Sequence, residues 1–220
     1  MACNFKLSPP TDDLDEAQIF TETIHGAEPY LNWRCIHGHH QSPKSLRGKL
    51  VTQKRSLIDL NQSGFNVFMT LNQTDGCGVA ADNIVGITAL FADLDGMPLE
   101  NITNFPFEPT IINETSPGKY HVIYKVNGLA LNEFTRCQSA VAGAIGSDPA
   151  VCDLPRIIRV PGFKHTKGQS KPFASRMIHF NAAAVYSGAE IVEWVDNRQE
   201  GCLATEDEAS QLGKPTLLPI

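Results

Sequence analysis

Two carboxylates stand two residues apart at the end of Gly86–Gly96, GITALFADLDG. Nearly every position before them is apolar, and such a run closed by a glycine reads as a buried strand. Side chains on a strand alternate faces, so Asp93 and Asp95 point the same way while Leu94 turns into the core. Like charges held side by side at a buried strand end repel each other and need a cation. Oxygen ligands point to a divalent ion, magnesium or manganese. The plain alternative is a turn whose acids are merely solvated.

Two further stretches carry chemistry. In Ser116-Pro117-Gly118-Lys119-Tyr120-His121, a glycine turn offers backbone N–H groups beside a hydroxyl, an ammonium and an imidazole. That set suits phosphate oxygens, although Ser-Pro-Gly before a strand is also ordinary hairpin chemistry and His121 could simply be packed. The third stretch, Asp148 to Lys167, holds Asp153, Arg156, Arg159, Lys164 and His165 around an Ile-rich strand. Arg156 and Arg159 are three apart, which predicts opposite faces, with one arginine at the site and the other exposed or paired.

The elements that must position these residues follow from period and punctuation. Leu14–Ile24 reads as a helix, Tyr30–Ile36 as a strand, His37–Lys49 as a polar basic loop and Val51–Asn61 as a helix. Phe65–Asn72 reads as a strand before a glycine-containing loop, Asn72–Asn83. After the aspartates come strands at Pro109–Asn113 and Tyr120–Val126, a helix over Leu131–Ile145, and strands at Arg156–Val160 and Ala174–Phe180. Ser187-Gly188-Ala189-Glu190 is a capping box opening a last helix. Strands outnumber helices in mixed order, which predicts an α+β fold.

The 220 residues suit one sizeable domain, and 42% hydrophobic with 19% charged residues is the balance of a soluble globular protein. No apolar run is long enough to span a membrane and no signal peptide opens the chain, so no membrane partner and a cytoplasmic location are expected. The net charge of −6 argues against nucleic acid, but its distribution does not. Leu154–Ala189 contains no acid and several Lys and Arg residues, and Lys44–Arg55 forms a second basic cluster. The six cysteines lack any Cys-x-x-Cys pair and read as reduced structural thiols. Cys35, His37, His39 and His40 could grip zinc, but spacing this tight is unlike common structural sites.

The order Phe-x-Asp-x-Asp-Gly, then Ser-x-Gly-Lys-x-His, then the acid-arginine run ending in Pro161-Gly162-Phe163, resembles the archaeo-eukaryotic primase (AEP) superfamily. Within it the RepB-like primase domains of plasmids, phages and integrated elements are most similar, over about Leu50 to Phe180. The resemblance implies an AEP-type catalytic core, a mixed or antiparallel sheet with an RRM-like half flanked by helices. It implies a primase-polymerase, a template-dependent nucleotidyltransferase making or extending primers on single-stranded DNA from NTP or dNTP. Asp93, Asp95 and Asp148 match the metal-binding acids, with Asp153 the competing third acid. Two Mg²⁺ or Mn²⁺ ions and no organic cofactor are implied, one activating a 3′-hydroxyl and one the leaving pyrophosphate. Ser116, Gly118, Lys119, His121 and Arg159 would hold the nucleotide; Arg156, Lys164, His165 and Lys167 would lie along DNA.

A haloacid-dehalogenase-like phosphatase also begins with a strand ending Asp-x-Asp-Gly, but the Arg-x-x-Arg-x-Pro-Gly run has no role there. A non-catalytic replication DNA-binding protein is the other alternative, against which all three acids are present. The expected organisation is one domain over 1–198, with an N-terminal part over 12–80 and a catalytic core over 81–198. Residues 199–220 read as an acidic tail or a linker, a possible link to a helicase domain or protein.

Overall fold

The computed structural model describes residues 13–39, 42–148, 151–167 and 172–198. The readings placed on 1–12, on His40 and on 199–220 lie outside the described residues. Helix α1 (Asp13–His25) precedes strands β1 (Leu31–His37) and β2 (Lys44–Gly48), helix α2 (Leu50–Gln62) and strand β3 (Phe65–Thr70). A short ladder of β4 (Gln73–Thr74) and β5 (Ile84–Gly86) leads into β6 (Ala89–Asp95). A hairpin of β7 (Ile111–Ser116) and β8 (Lys119–Asn127) follows, then α3 (Phe134–Ile145) and β9 (Ile157–Arg159). The chain continues through β10 (Lys164–His165), β11 (Phe173–Ala174), β12 (Arg176–Phe180) and β13 (Val185–Ser187) into a helix, α4, over 188–198.

These elements build two larger sheets, besides the two-stranded ladders β4-β5 and β10-β11. The first is antiparallel in the order β2-β1-β3-β9. The second has the antiparallel order β12-β7-β8, with β6 antiparallel to β8 and β13 parallel to its end. This is the α+β fold with mixed and antiparallel sheets that the sequence predicts. Alternation along β6 divides the core. Ala89 and Phe91 pack with Trp33, Val67, Met69 and Ile158 of the first sheet and with Phe20 and Leu57 of α1 and α2. Leu90, Ala92 and Leu94 join Val122 and Tyr124 against Phe134, Cys137 and Val141 of α3 and Ile191 and Val195 of α4. Asp93 and Asp95 therefore continue the face that looks toward the first sheet.

The apolar β6 lies at a sheet edge, paired along its length with β8. Its open side is closed by Gln138 of α3, whose Oε1 accepts from the Phe91 N–H at 3.1 Å and whose Nε2 donates to the Phe91 carbonyl at 2.6 Å. A side-chain amide thus replaces a strand and protects the edge from foreign pairing. The predicted loop His37–Lys49 contains a strand, β2, because pairing with β1 recruits a segment whose own pattern is weak. Trp33 Nε1 fixes its end by donating to the Gly48 carbonyl at 2.9 Å. The last helix has its predicted cap: the Glu190 N–H donates to Ser187 Oγ at 3.2 Å, and Ser187 N–H donates to Glu190 Oε2 at 2.7 Å.

Candidate active site

The β6–β8 register sets the acids against two basic side chains, Asp93 beside His121 and Asp95 beside Lys119. Lys119 is ion-paired with Asp95, and His121 Nε2 stands 4.0 Å from Asp93 Oδ1. Lys119 follows directly on the β7–β8 turn, where Gly118 adopts φ +72, a conformation glycine takes at no steric cost. Asp93 has its carboxyl pushed above the usual range, first by burial and then by the neighbouring Asp95 charge. Arg156 and Lys119 pull it back, and Asp148 adds to the rise. A proton or a cation relieves this pair.

His121 is neutral. Burial, then Arg159 and Arg156, bring its imidazole down to about 3. Its Nδ1 is buried without a hydrogen-bond partner. Arg156 is paired with Asp153, as expected for one of the two arginines, yet both act electrostatically on the same histidine. The reason is local: β9 begins at Ile157, so Arg156 lies before the strand and its alternation does not apply. Arg159 is 8% exposed, donates through Nη1 to Asn66 Oδ1 at 2.9 Å and lies 4.6 Å over the Phe68 ring. Burial brings its guanidinium down to about 10, so it remains charged at neutral pH. Ser116 is 2% exposed, which leaves its hydroxyl less open than the turn around it.

The two competing third acids separate. Asp153 is ion-paired with Arg156. Asp148 is exposed and lies just past α3, after the left-handed C-cap Gly146. It acts electrostatically on Asp93 all the same. Lys164 and Lys167 are exposed, and His165 is half-buried with Nδ1 3.1 Å from the Thr115 carbonyl. Among the described residues no group of three His, Cys, Asp or Glu is placed to hold a metal ion alone. Mg²⁺ is usually held by one or two carboxylates together with substrate phosphates, and the Asp93–Asp95 pair fits that mode. The zinc reading does not fit: Cys35 is fully buried in the core, and burial raises its thiol to about 11.

Sequence reasoning missed the asparagines that hold the site together. Asn66 accepts from Arg159 and from the Thr166 N–H at 2.9 Å. Asn61 bonds both polar groups of the Lys164 backbone, at 2.8 and 2.9 Å. Asn113 donates to the Arg159 carbonyl at 2.9 Å and accepts from Ser175 Oγ at 3.0 Å. The signal that could have found Asn66 and Asn113 is a polar residue of poor strand propensity inside an apolar strand, since a buried amide of that kind needs partners.

With this geometry in place, comparison gives the class. A model of the RepB DNA-primase N-terminal domain matches residues 88–201, just over half of the 220 residues. The chain belongs to that family and is a DNA primase, a nucleotidyltransferase. Among solved structures it is similar to the AEP domain of the cyanophage S-2L primase-polymerase, with a TM-score of 0.67 and 17% identity over 84% of this chain and 98% of that one. Primase RepB′ gives a TM-score of 0.61 at 18% identity, over 89% of this chain and 65% of that one. The catalytic domain of RepB′ in complex with initiator DNA gives 0.60 at 17%, over 86% and 94%. These likenesses show a shared AEP fold. No curated protein matches the chain. Among the described residues no helix is long and apolar enough to cross a membrane.

Proposed function

We infer that the chain is the catalytic domain of a primase-polymerase from a mobile element or phage replication system, working in the cytoplasm on a single-stranded DNA template. The carrying observation is the Asp93–Asp95 pair on one strand face, flanked by Lys119 and His121 and approached by Arg156 and Arg159. Asp93 and Asp95, with Asp148 as the third acid, would hold two Mg²⁺ or Mn²⁺ ions. Bound there, the ions supply activation of a 3′-hydroxyl and charge neutralisation at the leaving pyrophosphate.

The protein side chains bind and orient. Lys119 pairs with Asp95 and can exchange that partner for a phosphate oxygen. His121, neutral and with an unsatisfied nitrogen, offers a hydrogen bond rather than a charge. Arg159 supplies the fixed charge, because Asn66 holds its guanidinium and burial strengthens its field. The Gly118 turn lets a triphosphate approach the backbone. Lys164, His165, Lys167 and the outer part of Arg156 would follow the DNA backbone, and a helicase domain or protein would be the neighbour in the replication complex.

The test is incorporation of labelled nucleotide on a single-stranded template, with and without primer, with and without Mn²⁺ or Mg²⁺. Template-dependent product that vanishes with chelator is expected. Binding of template with no incorporation under any metal would favour a non-catalytic replication protein instead.

A further inference from the structure

Two cavities open beyond the acids, and they adjoin, since Asn32 and Thr70 line both. The smaller, about 360 Å³, has Arg34, Arg47 and Arg156 in its wall together with Val79 and Asp153. It begins beside the catalytic end, because Arg156 acts on both Asp93 and His121. Arg47 donates to the carbonyls of Gly76 and Cys77 and so fixes the loop that carries Val79. Arg156 Nε is buried with no partner. Three guanidinium groups around a cavity of this size suit phosphodiester oxygens.

The larger cavity, about 620 Å³, is lined by His25, Tyr30, Asn32, Thr74, Thr88 and Lys125 among others. Lys125 pairs with Ala89, four residues before Asp93 on β6, which sets this cavity about 13 Å from the acids at the rise of a strand. Two buried atoms of its lining residues lack a partner, Asn32 Oδ1 and His25 Nε2. Asn32 is 5% exposed, and its Nδ2 donates to Thr74 Oγ1 at 2.6 Å, so the amide oxygen is the spare acceptor. The other ring nitrogen of His25 bonds the Thr70 carbonyl, and burial leaves the imidazole neutral, so Nε2 is a spare acceptor too. Two acceptors want N–H donors. Adenine, cytosine and guanine carry an exocyclic amine with two N–H donors, whereas thymine offers a single ring N–H flanked by two carbonyl acceptors, which two protein acceptors would repel. Tyr30, 63% exposed in the wall, offers a ring on which a base can stack.

We propose that the larger cavity is a base-reading pocket, taking a template base with an exocyclic amine a few nucleotides from the catalytic acids while the three-arginine cavity carries the phosphates between. Asn32 is then a specificity-determining residue of the primase, and the proposal rests on the primase reading above. It predicts that the chain does not prime uniformly.

The experiment maps start positions on single-stranded templates of randomised sequence and, separately, measures affinity for oligo-dC against oligo-dT. At one fixed offset the wild type should disfavour thymine by about fivefold, the worth of one net hydrogen bond. Asn32→Leu should flatten that bias and equalise the two oligonucleotides. Should that variant unfold, Thr74→Val, which removes the amide's anchor, should weaken the bias in a folded protein. Arg34→Ala should weaken binding to all sequences alike and reduce the salt slope by about one. A uniform start profile in the wild type, or a bias unchanged in folded Asn32→Leu and Thr74→Val, overturns the pocket. A wild type that makes no primers would count against the enzymatic reading alone, because the oligonucleotide affinities still decide the pocket.

Discussion

The two sheets contribute to the site in opposite ways. The second sheet supplies the acids and their immediate partners, Asp93, Asp95, Lys119 and His121, from two neighbouring strands in one register. The first supplies distant positive charge. Ser45, Arg34, Phe68 and Arg159 are successive register partners across β2, β1, β3 and β9, and so stand in one row. That row runs from exposed Ser45 to buried Arg159. On the proposed reading the chemistry would be local to one hairpin and edge strand, while the field and the template path would come from packing another sheet beside it.

Substitutions can break this division. The largest effect belongs to the acids: Asp93→Asn or Asp95→Asn should lower nucleotide incorporation by at least about 10³-fold, the scale of losing a main electrostatic contributor. Asp93→Asn also removes a repulsive charge, so its metal-free melting temperature should equal or exceed that of the wild type by about 1–3 °C. Near-normal synthesis by either variant would reject the metal pair.

Next comes the first sheet's buried arginine. Arg159→Ala should cost about 1.5–3 kcal/mol of stability, the range for hydrogen bonds to charged groups. It should also raise the nucleotide KM while template affinity holds, whereas the doubly substituted Lys164→Ala, Lys167→Ala protein should do the reverse and flatten the salt dependence. Titrations of nucleotide and of template DNA separate the two, and an exchange of these phenotypes would show the faces assigned wrongly.

The third acids give an intermediate contrast. Asp148→Asn should remove most incorporation, while Asp153→Asn, which only frees Arg156, should leave appreciable activity. Comparable losses in both would end the distinction.

The smallest effect is on acid stability. His25 and His121 hold folded values of about 4 and about 3, both lowered mainly by burial from 6.5. Between those values and 6.5 the unfolded chain binds more protons, so stability rises with pH across the window. The contribution is complete above pH 6.5 and is lost as pH falls. His25→Gln should therefore move the acid-unfolding midpoint to lower pH, followed by circular dichroism.

Much of the catalytic hairpin was legible because its rules are short-ranged. A two-residue spacing puts Asp93 and Asp95 on one face whatever else the chain does. Gly118 marks the turn that sets Lys119 opposite Asp95, and Ser187 with Glu190 caps α4. Asp153 pairs with Arg156, three residues away, within reach of a local rule.

What the local pattern left open involves partners far apart in sequence. Nothing near Arg159 indicates Asn66, 93 residues earlier, and nothing near Lys164 indicates Asn61, 103 residues earlier. Gln138 closing the edge of β6 spans 47 residues. The sequence by itself determined which residues could carry charge and which of them share a strand face, because side-chain alternation is a property of the backbone. Only the tertiary structure decided that Arg156 and Arg159 both act electrostatically on His121, that Asp148 acts on Asp93, and that two cavities meet at Asn32 and Thr70. Those outcomes depend on how one sheet docks beside the other, and docking is fixed by buried apolar shape summed over both cores rather than by any local spacing.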